Sequence, residues 1–222
     1  MKIGTDGTLL GAVGANLALS SKARRILDIG TGTGLIALMV AQKLEGTDAR
    51  IAAVEIDVAS AAEARDNFSD SPFAVHLSLH CGDVLDYTPE VPFDLILSNP
   101  PFFTATHAAP DARRTQARHI GGLSPRSLFA KASSILAPEG QILVIYPVNM
   151  SEDFEGAAAG SGLFLREKNL IRTAPGKAPK RAISCFSRTK GPYSESLLSI
   201  RDDSGAYSSA YATLLSPYLT IF

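Results

Sequence analysis

The segment LDIGTGTG, residues 27–34, limits what this chain can fold into more than any other stretch. An apolar run, Arg25–Ile29 (RILDI), breaks into Gly30, Gly32 and Gly34, and a helical stretch, Leu35–Leu44, follows at once. Strand, tight turn and helix in that order make the first part of a βαβ unit. Glycine lets the backbone turn sharply there and come close to a ligand at the carboxyl end of the strand. A dinucleotide fingerprint would need GxGxxG, whereas Leu35 leaves GxGxG, and no Lys-Ser/Thr pair follows to make a P-loop. A tight βα turn without any ligand accounts for the glycines alone, so the turn needs support from elsewhere in the chain.

The same rhythm continues through the first two thirds. Ile51–Ile56 (IAAVEI) reads as a strand, Val58–Phe68 as an Ala-rich helix, and Val75–His80 as a half-exposed strand alternating apolar and polar residues. Phe93–Ser98 (FDLILS) is a buried strand closed by Asn99-Pro100-Pro101. A helix over Ser124–Leu136 ends at Pro138-Glu139-Gly140, and Gln141–Tyr146 (QILVIY) is a further strand. Strands alternating with helices predict an α/β fold with a mostly parallel sheet covered on both faces. After Pro147 the strand-like pieces Phe164–Ile171, Ala182–Ser187 and Leu197–Ile200 are short and separated by Gly/Pro/Lys-rich turns, as antiparallel edge strands would be. With no internal repeat and no linker, residues 1–222 read as one domain.

Hydrophobic residues at 45% and charged residues at 19% fit a folded globular chain. No apolar run approaches the ~18 residues of a membrane span. MKIGTDG lacks the basic and apolar regions of a secretory leader, so the expected location is the cytoplasm. Cys81 and Cys185 stand far apart without CxxC or HxxxH spacing, and the four histidines, His107 and His119 among them, show no ligand spacing. Neither a disulfide framework nor a metal site is expected. The net charge of −1 hides an asymmetry: residues 1–98 carry 7 basic and 13 acidic side chains, residues 99–222 carry 14 and 9. Arg166, Lys168, Arg172, Lys177, Lys180, Arg181, Arg188 and Lys190 crowd into one short stretch with a single acid, Glu167. Such a cluster fits either a solvated surface or a face that meets an anion, most simply a nucleic-acid backbone.

Two carboxylates support a nucleoside site. Glu55 ends the second strand, 21 positions after Gly34, where it can accept hydrogen bonds from both ribose hydroxyls. Asp83, in HCGDVLDY, follows the third strand and can accept from an adenine amino group. Asp57 reads instead as the cap of the next helix. No basic residue sits in the glycine turn, so the ligand need carry no phosphate.

The strand FDLILS runs straight into Asn99-Pro100-Pro101-Phe102. Two prolines remove two backbone donors and hold the chain extended, which leaves carbonyls available to a ligand. An Asn side-chain oxygen beside a proline carbonyl can take both hydrogens of a planar –NH2 group and favour a pyramidal nitrogen with a released lone pair. Phe102 adds an apolar face for a flat substrate. A rigid turn capping a buried strand is the plainer alternative. Tyr146 reads as a strand-end aromatic.

LDIGTGTG, VEID, CGDV and SNPPF, in this order and spacing, resemble the class I S-adenosylmethionine-dependent methyltransferases that act on exocyclic or amide nitrogen. The opening GTDGTLLGA, the stretch GKAPKRA and the terminal YSSAYATLLSPYLTIF are similar to the tRNA1(Val) (adenine(37)-N6)-methyltransferase family. The resemblance implies a Rossmann-like, mostly parallel seven-stranded sheet with an antiparallel C-terminal edge. It divides the domain into a pocket-mouth segment (1–15), a cofactor-binding core (22–147) and a basic substrate-binding region (148–222). It implies S-adenosyl-L-methionine as cofactor, held by Thr5, Asp6, Asp28, Gly30, Gly32, Gly34, Glu55, Asp83 and Asn99, with Gly7 and Leu10 also across the pocket mouth. Asn99, Pro100 and Phe102 would hold the target amine, with no obligatory general base. One departure stands out: family members carry further residues ahead of GTDG, and this chain begins three residues before it.

A tRNA substrate fits the basic second half, with Phe102, Arg113, Arg114, Lys177, Lys180 and Arg181 as its contacts and Arg118 and Arg126 nearby. A stacked adenine must first be turned outward, and basic contacts to the backbone can offset that cost. A protein glutamine N5-methyltransferase and a ribosomal RNA guanine N2-methyltransferase remain open alternatives, because an amide or guanine –NH2 suits the same acceptor pair. An idle RNA-binding module is the non-enzymatic alternative. The oligomeric state is unassigned, with a monomer favoured.

Overall fold

Runs that carry apolar residues on both faces can be covered on both sides, and the chain places them at the centre of its sheet. A computed structural model describes residues 4–101 and 123–221. RILDI forms β1 (Arg25–Ile29), flanked by β2 (Arg50–Glu55) and then β3 (Leu77–Cys81). FDLILS forms β4 (Phe93–Ser98), and QILVIY lies within β5 (Leu136–Pro147). The outer strands are β6 (Phe164–Arg172), β7 (Arg181–Ser187) and β8 (Ser194–Ser199). All join one sheet in the order β3-β2-β1-β4-β5-β7-β6-β8.

This sheet has eight strands rather than seven, and its C-terminal side is not wholly antiparallel. Only β7 runs against the rest, pairing antiparallel with both β5 and β6, while β8 lies parallel to β6. The last strand, SESLLS, is polar and mostly exposed, so its apolar pattern marks its end and misses its start at Ser194. In the same way β3 begins at Leu77, because Ala74–His76 form a 3-10 turn. Pro138-Glu139-Gly140 does not end a helix but lies within β5, where the pairing slips between Phe93 and Leu95. Gly140 allows this: a Cβ there would lie 2.9 Å from the Phe93 carbonyl oxygen.

Alternate side chains feed two cores, as strand geometry requires. Ile26, Leu95, Leu97, Leu143 and Ile145 pack with α1 (Thr5–Ser20), α2 (Leu35–Lys43) and Phe68 of α3 (Val58–Asp70). Leu27, Ile29, Ile96, Ile142 and Val144 pack with α4 (Pro125–Ile135) and α5 (Ser151–Gly160). Tyr211 and Leu215 of the short α6 (Ser209–Leu215) join the first core. The opening segment GTDGTLLGAVG is itself helical despite its glycines. Gly7, Gly11 and Gly14 recur at helical spacing and face α2 and the sheet; a Cβ at Gly11 would come within 2.5 Å of Met39 Sδ, and one at Gly14 within 2.9 Å of Leu97 Cδ2. Close tertiary packing replaces the helix propensity that the glycines lack.

The parallel strands bring their carboxyl ends to one edge, and the antiparallel β7 adds its amino end there. Pro147, the last residue of β5, pairs with Arg181, the first of β7. The loop 173–180 therefore emerges at the same edge as the ends of β1, β2, β3 and β4.

Candidate functional site

Strand register assembles this edge. Ile29 pairs with Val54 on one side and with Ser98 on the other, and Glu55 pairs with Cys81. The glycine turn, Glu55, Asp83 and Asn99 thus leave the sheet on adjacent strands. The connections are tied by hydrogen bonds. Gly30 N–H donates to Val54 O at 2.9 Å, Gly82 N–H to Glu55 O at 2.8 Å, and Ser98 Oγ to Ile29 O at 3.1 Å.

The turn depends on glycine for its shape. Gly30 and Gly34 have φ of +69° and +88°, in the left-handed region that L side chains rarely adopt. A side chain at Gly34 would also collide with the Phe68 ring, whereas at Gly30 it would meet nothing within 4 Å among the described residues. Among those residues the space above Gly30 is open.

Glu55 is 8% exposed, and both of its oxygens are held. Oε2 accepts from Gly32 N–H at 2.8 Å and Oε1 from Asp57 N–H at 2.9 Å, which fixes the carboxylate while each oxygen keeps a second lone pair. Asp57 caps α3 through Oδ1 and Ser60 N–H at 2.8 Å, as its position in the sequence predicts, and the bonds from Ser60 lower its pKa. Asp83 turns Oδ1 back to Leu85 N–H at 2.9 Å. Two residues escaped the sequence reading: Ile56 and Leu85, apolar yet 47% and 44% exposed, follow these carboxylates along the chain. An apolar residue one or two places behind an acid at the carboxyl end of a strand is the available signal.

Asp28 is fully buried in β1 on the α2 side. Burial pushes its pKa up to about 7; the Thr31 hydroxyl and the Ala37 N–H oppose the shift, and the charge of Glu55 adds to it. Thr31 Oγ1 donates to Oδ2 at 2.6 Å, but Oδ1 makes no hydrogen bond among the described residues. A buried carboxyl with one unsatisfied oxygen is matched to a donor or a cation.

The first turn of α1 reaches this edge. A Cβ on Gly7 would touch Leu35 Cδ2 at 3.4 Å, one residue past Gly34. Thr5 is exposed, and its carbonyl accepts from the Thr8 hydroxyl at 3.0 Å. Asp6 is engaged elsewhere, since its Oδ2 accepts from Arg181 Nε at 2.7 Å. Leu10 is wholly buried in the core beneath.

Asn99 and Pro100 follow directly on β4, Asn99 half-buried and Pro100 buried. Phe102, His107, Arg113, Arg114, Arg118 and His119 lie outside the described residues. The basic stretch does not form a single face. Arg166 bonds Thr189 O, Arg188 bonds Ser133 O, and Lys190 lies over the Phe164 ring, all near the amino edge. Lys168 pairs with Glu155 at 2.7 Å, Arg172 bonds Ser199 at 2.7 Å, and Arg181 pairs with Asp6. Lys177 and Lys180 remain exposed on the loop at the carboxyl edge. Tyr146 is a core residue; its hydroxyl meets Ser184 Oγ at 2.7 Å and its ring stacks on Phe154. A groove of about 530 Å³ between α1, β6 and α6, lined by Val13, Leu17, Asn169 and Leu198, contains none of the carboxyl-edge residues. Among the described residues no helix is long and apolar enough to cross a membrane, and no three His, Cys, Asp or Glu side chains are grouped to hold a metal ion.

The methyltransferase small domain family matches residues 9–154. A tRNA1(Val) (adenine(37)-N6)-methyltransferase from Porphyromonas gingivalis is 40% identical over 99% of this chain and 89% of its own. One from Phocaeicola vulgatus is 44% identical over 84% of this chain and 76% of its own. Among solved structures, a predicted O-methyltransferase from Agrobacterium tumefaciens superposes with a TM-score of 0.73 at 21% identity, covering 96% of each chain. The O-methyltransferase TomG from Streptomyces achromogenes, solved in complex with S-adenosylmethionine, gives 0.56 at 21% identity over 81% of this chain and 79% of its own. At these identities the two structures establish the shared fold.

Proposed function

From its place in the methyltransferase small domain family, and within it among the tRNA1(Val) (adenine(37)-N6)-methyltransferases to which this chain belongs, we propose that it methylates N6 of adenine 37 in tRNA1(Val). The methyl donor is S-adenosylmethionine, whose sulfonium supplies an activated methyl group when bound. The residues of the carboxyl edge suit that donor. Open space above Gly30 admits its methionine part, the fixed carboxylate of Glu55 accepts from ribose hydroxyls, and the unsatisfied Oδ1 of Asp28 suits the donor's ammonium. Asp83 takes the adenine amino group, while Ile56 and Leu85 offer apolar surface to the ring.

The observation that carries the reading is the pairing of Ile29 with Ser98, which sets Asn99 on the strand next to the glycine turn. There Asn99 Oδ1 and the Pro100 carbonyl accept the two hydrogens of the target –NH2. Those bonds draw the nitrogen out of conjugation with the ring and free its lone pair, and the surplus proton leaves to solvent after transfer. Phe102 supplies the stacking face, and Lys177 and Lys180 contact the phosphate backbone of a tRNA whose target base is turned outward. We place it in the cytoplasm and assign it no metal ion; its oligomeric state is unassigned, with a monomer favoured.

The test is methyl transfer to two tRNA1(Val) transcripts, one unaltered and one with guanine in place of the target adenine. Incorporation into the first alone supports the reading. Equal incorporation into both would place the methyl elsewhere.

A further inference from the structure

Asp6 and Arg181 are 175 positions apart in sequence and meet at 2.7 Å, with side chains 28% and 34% exposed. The two ends of this ion pair are anchored very differently. Arg181 opens β7 opposite Pro147, and next to it Lys180 N–H bonds Ile171 O at 2.8 Å and Val148 N–H bonds Lys180 O at 3.2 Å. That base is rigid. Asp6 lies in the first turn of α1, whose N-cap is Gly4 with no side-chain capping bond, and Gly7 in the same turn adds no helix propensity. Local sequence holds this turn weakly, yet it rests on Leu35, immediately behind the glycine turn.

We propose that Asp6 and Arg181 are a positioning pair which seats the first turn of α1 beside the glycine turn and so sets cofactor affinity. The pairing orients Arg181 toward α1, so backbone contact with tRNA falls to Lys177 and Lys180. This inference rests on the cofactor reading given above. Acting through a partly exposed ion pair, its effect is moderate.

The experiment measures S-adenosylhomocysteine binding by calorimetry for wild type, Asp6→Asn, Arg181→Gln and the double variant, alongside KM for tRNA at several salt concentrations. Each single variant should weaken binding about three- to fivefold. The double should be no weaker than either single, because the second change removes a partner already lost. Arg181→Lys should recover part of the affinity, and the salt dependence of the tRNA KM should not move. Thermal unfolding of each variant checks that it folds, and Arg181→Lys carries the test if Arg181→Gln does not. Unchanged or additive cofactor binding would overturn the proposal. So would a flattened salt slope for Arg181→Gln with normal cofactor binding, which would make Arg181 a phosphate ligand. Failure of the wild-type chain to bind S-adenosylhomocysteine would instead sink the cofactor reading itself.

Discussion

At the ends of β1, β2 and β3 the carboxylates are held by backbone N–H groups of the same edge: Glu55 by those of Gly32 and Asp57, and Asp83 by that of Leu85, beside a glycine turn shaped by the positive φ of Gly34. At the other end of the sheet, side chains of β6, β7 and their flanks are tied to other elements of the fold. Arg181 reaches Asp6, Arg188 reaches Ser133, and Lys168 reaches Glu155. The first region is a rigid socket made from backbone and register. The second is a basic surface largely consumed by the fold, with Lys177 and Lys180 left exposed at the edge the two regions share. A charge cluster in sequence is therefore a poor count of charges available to a ligand, whereas a glycine turn followed by a strand-final acid does mark where strand ends converge.

Substitutions that separate the two regions test this contrast. The largest effect is expected for Asn99→Ala, which should lower kcat about a hundredfold, the scale of losing one group aimed at the reacting centre. S-adenosylhomocysteine affinity should stay near wild type; a parallel loss of affinity would place Asn99 in the cofactor socket. Next is Glu55→Ala. Losing charged hydrogen bonds to ribose should weaken cofactor binding about ten- to a hundredfold while the salt dependence of tRNA binding is unchanged.

Asp28 gives a pH signature. Its pKa rises from 3.8 to about 7 on folding, so the folded chain holds the proton more tightly than the unfolded one. Its contribution to stability is full below about pH 4 and is lost as the pH rises toward about 7. The stability difference between wild type and Asp28→Asn, followed by thermal unfolding, should fall across that window and level off above it. A difference independent of pH would mean that Asp28 is not buried as described.

The smallest effect belongs to the basic loop. Replacing Lys177 and Lys180 together by alanine should raise the tRNA KM several-fold and reduce the salt slope by about 1.5, near the value for two phosphate contacts. Cofactor binding should be untouched. A larger response than that of Glu55→Ala would reverse the contrast between the regions.

Legibility in the sequence follows the same division. RILDI, FDLILS and QILVIY read correctly as buried strands because apolar residues dominate both of their faces, and Asp57 reads correctly as a helix cap because capping is local. The start of SESLLS is not legible because an exposed edge strand carries little apolar signal. The helix in GTDGTLLGA was invisible for the opposite reason: its glycines argue against a helix until α2 and the sheet are there to pack against them. Of the expected site residues, the glycines, Glu55, Asp83 and Asn99 gather at one edge because parallel register brings strand ends together. Asp6 and Arg181 find each other instead, a pairing that no local pattern encodes. Ile56 and Leu85 do not stand out in the sequence, because the exposure of an apolar residue shows only in the fold.

Total tRNA lacking its modifications, incubated with labelled S-adenosylmethionine and the wild-type chain and then digested to nucleosides, puts the reaction itself to the test. The label should appear in N6-methyladenosine. Label in another nucleoside, such as N2-methylguanosine, or no label in a preparation that binds S-adenosylhomocysteine, would contradict it.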